Sequence, residues 1–319
     1  MKKIAKILTV IMTAVFLLCS CGEGQNKEDG RLKIVATVFP QYDWIREIAG
    51  ELFGEAEVTL LVSNGTDLHS YQPSASDMIK ISDCDIFVYV GGESDAWVEN
   101  VLKEAKNKAM ITVDLMDVLK DNLKTEAEGV EKEKDEEDED GEYDEHVWLS
   151  LKNAKTACES IAFAMDTADP ENKETYDKNL KAYEEKLDKL NGEYEQAVKN
   201  GRAKTLIFAD RFPFRYLLDD YGLDFYAAFS GCSAETEASF ETVVFLADKA
   251  DELKLDSLII LENSDGSVAK AVRENTAGKN QQILVMDSMQ SMTLKDIEEG
   301  VTYLLVMENN LKALEKALG

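Results

Sequence analysis

The sequence predicts an α/β protein of two lobes, each a parallel sheet of (β/α)4 type, joined by one long rigid helix. Three observations carry that reading. Short apolar runs rich in Val and Ile alternate with segments whose apolar residues recur at helical spacing, the pattern of parallel strands covered on both faces. The alternation occurs twice, across residues 32–168 and again across 201–319. Between the halves, residues 169–200 form a single amphipathic stretch. At 319 residues and 45% hydrophobic content, the chain can bury one large core or two ordinary ones, and two lobes is the expected arrangement.

Residues 1–20 read as an export signal. Met1 to Lys6 is basic, and Ile7 to Leu18 is apolar but too short to span a bilayer. Leu18-Cys19-Ser20-Cys21-Gly22 then resembles a bacterial lipobox, with cleavage before Cys21 and acylation of its sulfur. An ordinary secretory signal is the other reading. Residues 21–31 are polar and glycine-containing, as a flexible tether would be. The folded part is then exported and lipid-anchored at the outer face of a bacterial cytoplasmic membrane, or periplasmic.

In the first lobe (32–168), Leu32 to Phe39 reads as a buried strand stopped by Pro40. Tyr42, Trp44, Ile45, Ile48, Ala49 and Leu52 then recur at helical spacing. Val58 to Val62 is the second strand. Ser74 looks like the N-cap of a helix carrying Met78, Ile79 and Ile81. Asp85 to Val90 is the third strand, followed by a helix from Ser94 to Asn107. Met110 to Val113 is the fourth. An acidic run, Glu126 to Glu145, cannot bury enough apolar surface to order itself and reads as a mobile loop. Ser150 caps a helix to about Ala168.

The linking helix follows Asp169-Pro170-Glu171, with Tyr176, Leu180, Tyr183, Leu187, Leu190 and Tyr194 on one stripe and Asn200-Gly201 as its end. About thirty residues rising 1.5 Å each span roughly 45 Å, more than one lobe needs. In the second lobe (201–319), strands at 205–209, 223–229, 257–261 and 283–286 alternate with helices at 214–221, 240–253 and 267–275. A final helix buries Ile297, Val301, Leu304, Leu305 and Leu311.

The formal net charge of −28 becomes more negative still once the leader lysines are removed. Such a surface repels nucleic acid and draws in cations. Beyond the leader the cysteines are Cys84, Cys158 and Cys232, widely spaced and without CxxC, so there is no disulfide framework. Cys84 and Cys158 fall on apolar positions and read as small core residues.

Ligands of open parallel sheets bind beyond the carboxyl ends of the strands, where loops converge. His69 follows the second strand and Glu93 the third. Asp210-Arg211, Ser230-Gly231-Cys232, Glu262 and Asp287 follow the strands of the second half. The chain has two histidines, and the other, His146, sits where the acidic run meets the next helix. Lobes facing across a cleft would bring His69, His146, Glu262 and Asp287 together. Two neutral imidazoles with one or two carboxylates suit zinc, manganese or iron(II). Isolated surface histidines are the bland alternative.

Two motifs add a resemblance. His69-Ser70-Tyr71-Gln72-Pro73 is similar to the His-x-Tyr-Glu-Pro stretch of the metal-binding lipoproteins of bacterial ABC importers for zinc and manganese, with Gln72 in place of glutamate. Asp144-Glu145-His146-Val147-Trp148-Leu149 resembles that family's Asp-Pro-His-x-Trp-Leu. Residues 216–223, 231–239 and 285–287 also fit. The resemblance implies two lobes on one long helix with metal in the cleft. It makes His69, His146 and Asp287 the ligands. Beside that carry-over, Glu262, Asp210, Arg211 and Cys232 are the candidate additional or supporting groups. It also implies a permease partner and a monomer. The departure is Arg211, which stands where the family has its third histidine and cannot ligate a metal.

Zinc is the expected ion and manganese the alternative. The carboxylates Glu126, Glu128, Glu131, Glu133, Asp135, Glu136, Glu137, Asp138, Glu139, Asp140, Glu142, Asp144 and Glu145 would collect cations weakly, or the run is a solubilising insertion. The expected function is a substrate-binding lipoprotein that captures a divalent ion and delivers it to an ABC permease. A surface adhesin or scaffold with a degenerate site is a second reading. A metal-dependent hydrolase is a third, and the absence of HExxH and of a nucleophile elbow argues against it.

Overall fold

The computed structural model describes residues 30–127, 142–233 and 237–319. The export signal with Cys21 and the acidic positions from Glu128 to Asp140 lie outside the described residues.

Among the described residues eight strands form two parallel sheets of the same topology. The first, in the order β2-β1-β3-β4, uses β1 (Lys33–Ala36), β2 (Glu57–Leu60), β3 (Ile86–Tyr89) and β4 (Ile111–Asp114). The second, in the order β6-β5-β7-β8, uses β5 (Thr205–Phe212), β6 (Asp224–Ser230), β7 (Ser257–Leu261) and β8 (Gln282–Met286). Both orders reverse direction beside the first strand of the sheet, which opens a crevice at its carboxyl end.

In the first half, α1 (Phe39–Ala49), α2 (Ala75–Asp83) and α3 (Val98–Glu104) cross between strands, and α4 (Leu115–Val118) and α5 (Leu151–Ala168) follow β4. The linking helix α6 spans Lys173–Asn200, and its 28 residues reach roughly 42 Å. Then come α7 (Arg215–Tyr221), α8 (Phe240–Leu253), α9 (Ser267–Asn275), α10 (Leu294–Glu298) and α11 (Tyr303–Leu318).

Several boundaries differ from the sequence reading, each for a local reason. β1 ends at Ala36, and Pro40 sits in the first turn of α1, where its missing N–H costs nothing. Gln41 reaches back to accept the N–H groups of Thr37 and Val38, which fixes that start. The expected helix from Ser94 shortens to α3, because Asp95 accepts the Val90 and Gly91 N–H groups and holds the preceding loop in turns. Pro170–Asn172 is a 3-10 turn ahead of α6. β5 runs on to Phe212 with a register shift between Phe208 and Arg211. The last helical segment is two helices, and Leu305 is exposed while Tyr303, Val306 and Met307 are buried. Ser74 and Ser150 are N-caps as read, accepting from Asp77 N and Asn153 N. Cys84 and Cys158 are buried.

One continuous core joins both sheets to α5, α6 and α11. Its polar groups tie the two halves together. Tyr303 O–H donates to Trp148 O at 2.7 Å, and Trp148 Nε1 donates to Ser288 O at 2.9 Å. Tyr303 N donates to Asp43 Oδ2 at 2.7 Å, and its ring meets Trp44 edge-on at 5.2 Å. Tyr194 on α6 donates to Met307 O at 2.7 Å. These donors would each cost about 1–3 kcal/mol if buried without a partner, so they fix the lobes in one relative placement.

Candidate metal centre

His69 lies in a 3-10 turn, Leu68–Ser70, whose N-cap Asp67 accepts the His69 N–H at 3.0 Å. His146 is fully buried at the foot of the acidic run. There the chain is pinned by an antiparallel bridge between Thr125 and Tyr143, with Glu126 N donating to Glu142 O and Asp144 N to Lys124 O. Tyr216 O–H holds the Asp144 carbonyl at 2.7 Å.

The two rings meet, His69 Nε2 to His146 Nε2 at 3.3 Å. Each has its other nitrogen engaged. Asp144 Oδ1 lies 2.8 Å from both His146 N and His146 Nδ1, so Nδ1 carries a proton and Nε2 is turned toward His69. His69 Nδ1 is 2.8 Å from Ser94 Oγ and 3.7 Å from Glu145 Oε2. Glu145 is itself aimed by the Ser94 N–H at 2.9 Å. Two nitrogens each about 2.0–2.1 Å from a tetrahedral zinc lie about 3.3–3.4 Å apart, so the spacing is that of a pair sharing one ion.

Burial and the neighbouring His146 hold the His69 pKa down at about 4, so at neutral pH its imidazole is uncharged. Burial also opposes charge on His146, but Asp144, Glu145 and Glu126 outweigh it and raise its pKa. An incoming dication would displace that proton and occupy the same negative field.

Two glycines make the approach possible. A Cβ on Gly231 would lie 2.9 Å from Phe212 O and 3.1 Å from His146 Cε1, so the end of β6 seats directly on the imidazole. Gly92 has φ +73° and a Cβ there would collide with the Glu145 carboxylate.

The group of potential ligands among the described residues is His69, His146 and Cys232, whose donor atoms lie within 4.8 Å of one another. Cys232 is a free thiol, and its N–H donates to Glu126 Oε1 at 2.7 Å. Burial and the Glu126 charge push the thiol pKa far up. Asp287 does not join this group. Its Oδ1 accepts from Met289 N at 2.8 Å, its N and O are clamped by Asn310, and burial with nearby Glu262 lifts its pKa to about 7. Glu262 accepts from Ser288 N and Oγ. Asp210 accepts the N–H groups of Arg211 and Leu261. Arg211 pairs with Asp67 across the cleft at 3.0 Å.

A cavity of about 660 Å³ opens beside the rings, lined by Asp67, His69 and Ser70 from the first half and by Asp210, Arg211, Cys232 and Glu262 from the second. Of the carboxylates read as loop ligands, Asp144 and Glu145 are instead buried against the histidines, and Glu126 holds Cys232. Sequence reasoning missed Ser94 and Asp67, whose roles depend on contacts across the fold. It also missed Gln290, buried with neither amide atom partnered among the described residues, next to Met289 at φ +62°.

Comparisons with known proteins bear on this geometry. The family model ZnuA, zinc-uptake complex component A, periplasmic, matches residues 34–317. Zinc-binding lipoprotein AdcA of Streptococcus pneumoniae (strain ATCC BAA-255 / R6) is 33% identical over 317 residues, covering 99% of this chain and 61% of AdcA. The chain thus spans about three fifths of the length of the AdcA relatives it matches. The metal ABC transporter substrate-binding lipoprotein FimA of Streptococcus parasanguinis is 30% identical, covering 100% of this chain and 99% of FimA. The crystal structure of the Zn(II)-bound ZnuA-like domain of Streptococcus pneumoniae AdcA has a TM-score of 0.71 at 31% identity, over 91% of this chain and 99% of that domain.

Proposed function

The chain belongs to the zinc-uptake complex component A family, and on that footing we propose that it is the zinc-capturing, substrate-binding lipoprotein of an ABC-type importer. The observation that carries the reading is the His69–His146 pair, with Nε2 atoms 3.3 Å apart and each Nδ1 already engaged. Zinc is the cargo. Relatives named for zinc binding and for metal ABC transport support the ion and the permease partner. Export, anchoring through acylated Cys21 and a receptor role without catalysis complete the proposal.

The metal-free state needs one proton between the facing nitrogens, because two lone pairs repel. Either His146 is protonated, as its raised pKa favours, or His69 carries its proton on Nε2 while Ser94 donates to Nδ1. Zinc entering from the cleft displaces that proton. The His69 ring then donates Nδ1–H to Ser94 Oγ, and Asp144 keeps His146 in the matching tautomer. Closure is small, because the continuous core and the Arg211–Asp67 pair already join the lobes.

The test is calorimetric titration of metal-free protein with zinc, beside His69→Ala and His146→Ala. One tight site lost in both variants is expected. Undiminished affinity in both would sink the reading.

A further inference from the structure

From the clustering of donor atoms we infer that Cys232 is the third protein ligand of the cleft ion, making a two-imidazole, one-thiolate site with its fourth position open. This rests on the receptor reading above and specifies its ligand set. Among the described residues Cys232 is the one thiol beside the rings, while Cys84 and Cys158 are buried in the cores. Two structural features point its backbone at the pair. Gly231 packs on the His146 ring with no room for a side chain, and Glu126 accepts the Cys232 N–H. Arg211, one strand away, is committed to Asp67 and cannot ligate, so the position opposite the rings falls to the thiol rather than to a third imidazole. Asp287 is held by Met289 N and Asn310 instead.

Coordination exchanges a proton for the ion. The S–H bond breaks, its proton leaves to buffer, and a sulfur lone pair forms the bond to the metal, with no redox change. The consequence is selectivity. A thiolate favours zinc, cadmium or cobalt(II) over manganese(II), which prefers oxygen ligands.

Cobalt(II) is the probe. Titrating metal-free protein should raise a near-ultraviolet thiolate-to-cobalt charge-transfer band that saturates at one equivalent. Cys232→Ser should abolish that band and keep the visible ligand-field bands, while Cys84→Ser/Cys158→Ser retains both. Zinc affinity of Cys232→Ser should fall on the order of 100-fold or more, since even outer partners of ligands are worth 10–100-fold. X-ray absorption of unaltered zinc-loaded protein gives a mutation-free check, with one sulfur neighbour at about 2.3 Å expected. Ligand-field bands without charge transfer, or a zinc shell of nitrogen and oxygen alone, would overturn the thiolate and leave the receptor standing. No uptake of either ion would overturn both.

Discussion

Replacing Asp144 with Asn isolates what the buried carboxylate does for His146. Its Oδ1 accepts from both His146 N and Nδ1 at 2.8 Å, and the asparagine oxygen can accept the same two bonds. What disappears is the negative charge. Burial is then opposed by Glu145 and Glu126 without Asp144, so the His146 pKa comes down from its raised value. The new amide nitrogen takes the place of Oδ2, a buried atom without a partner among the described residues, and costs about 1–3 kcal/mol of stability. Carboxylate partners of ligating imidazoles contribute 10–100-fold in metal affinity, or about 1.4–2.7 kcal/mol. Competition titration against a chromogenic zinc chelator at neutral pH, with thermal melting of the metal-free variant as a fold control, reads both effects. Affinity within about twofold of the parent, in a folded variant, would refute the role assigned to Asp144.

Other expectations follow from the same geometry. Gly231→Ala must push a methyl against Phe212 O and the His146 ring, so about 1–3 kcal/mol of stability should be lost together with zinc affinity, read by melting and titration. Burial lifts the Asp95 carboxyl to about 7, so the folded state holds its proton. Its contribution is full below about pH 4 and lost as pH rises through about 7, at most about 4 kcal/mol, so the melting temperature should fall between those limits and Asp95→Asn should flatten the slope. Excising residues 128–141 and joining the ends by a short turn should leave one tight zinc site, because Thr125 and Tyr143 are already bridged beneath the excision. Calorimetric stoichiometry checks this, and loss of tight binding would give the acidic run a direct role.

The fold was legible because burial on both faces forces parallel strands into continuous apolar runs, as at Ile34-Val35-Ala36 and Leu258-Ile259-Ile260. Caps at Ser74 and Ser150 were legible because their chemistry is local. The boundaries that slipped depend on contacts elsewhere in the chain, such as Asp95 holding Val90 and Gly91 in turns. His69 and His146 stood out as the two histidines of the chain, each in a loop. Their partners did not stand out. Arg211 meets Asp67 only because a register shift in β5 and the packing of the two halves set where its side chain emerges. Cys232 stood in the sequence as one of several possible additional groups, and laying the end of β6 on the His146 ring is what singles it out. Asp144 and Glu145 were hidden inside a charge run, although their fate is burial.

Zinc-edge anomalous diffraction from crystals of metal-free protein soaked in zinc tests the shared-ion geometry most directly. One dominant peak about 2.0–2.1 Å from both His69 Nε2 and His146 Nε2 is the expected result. Zinc found only on surface carboxylates, with no density between the two rings, would contradict it.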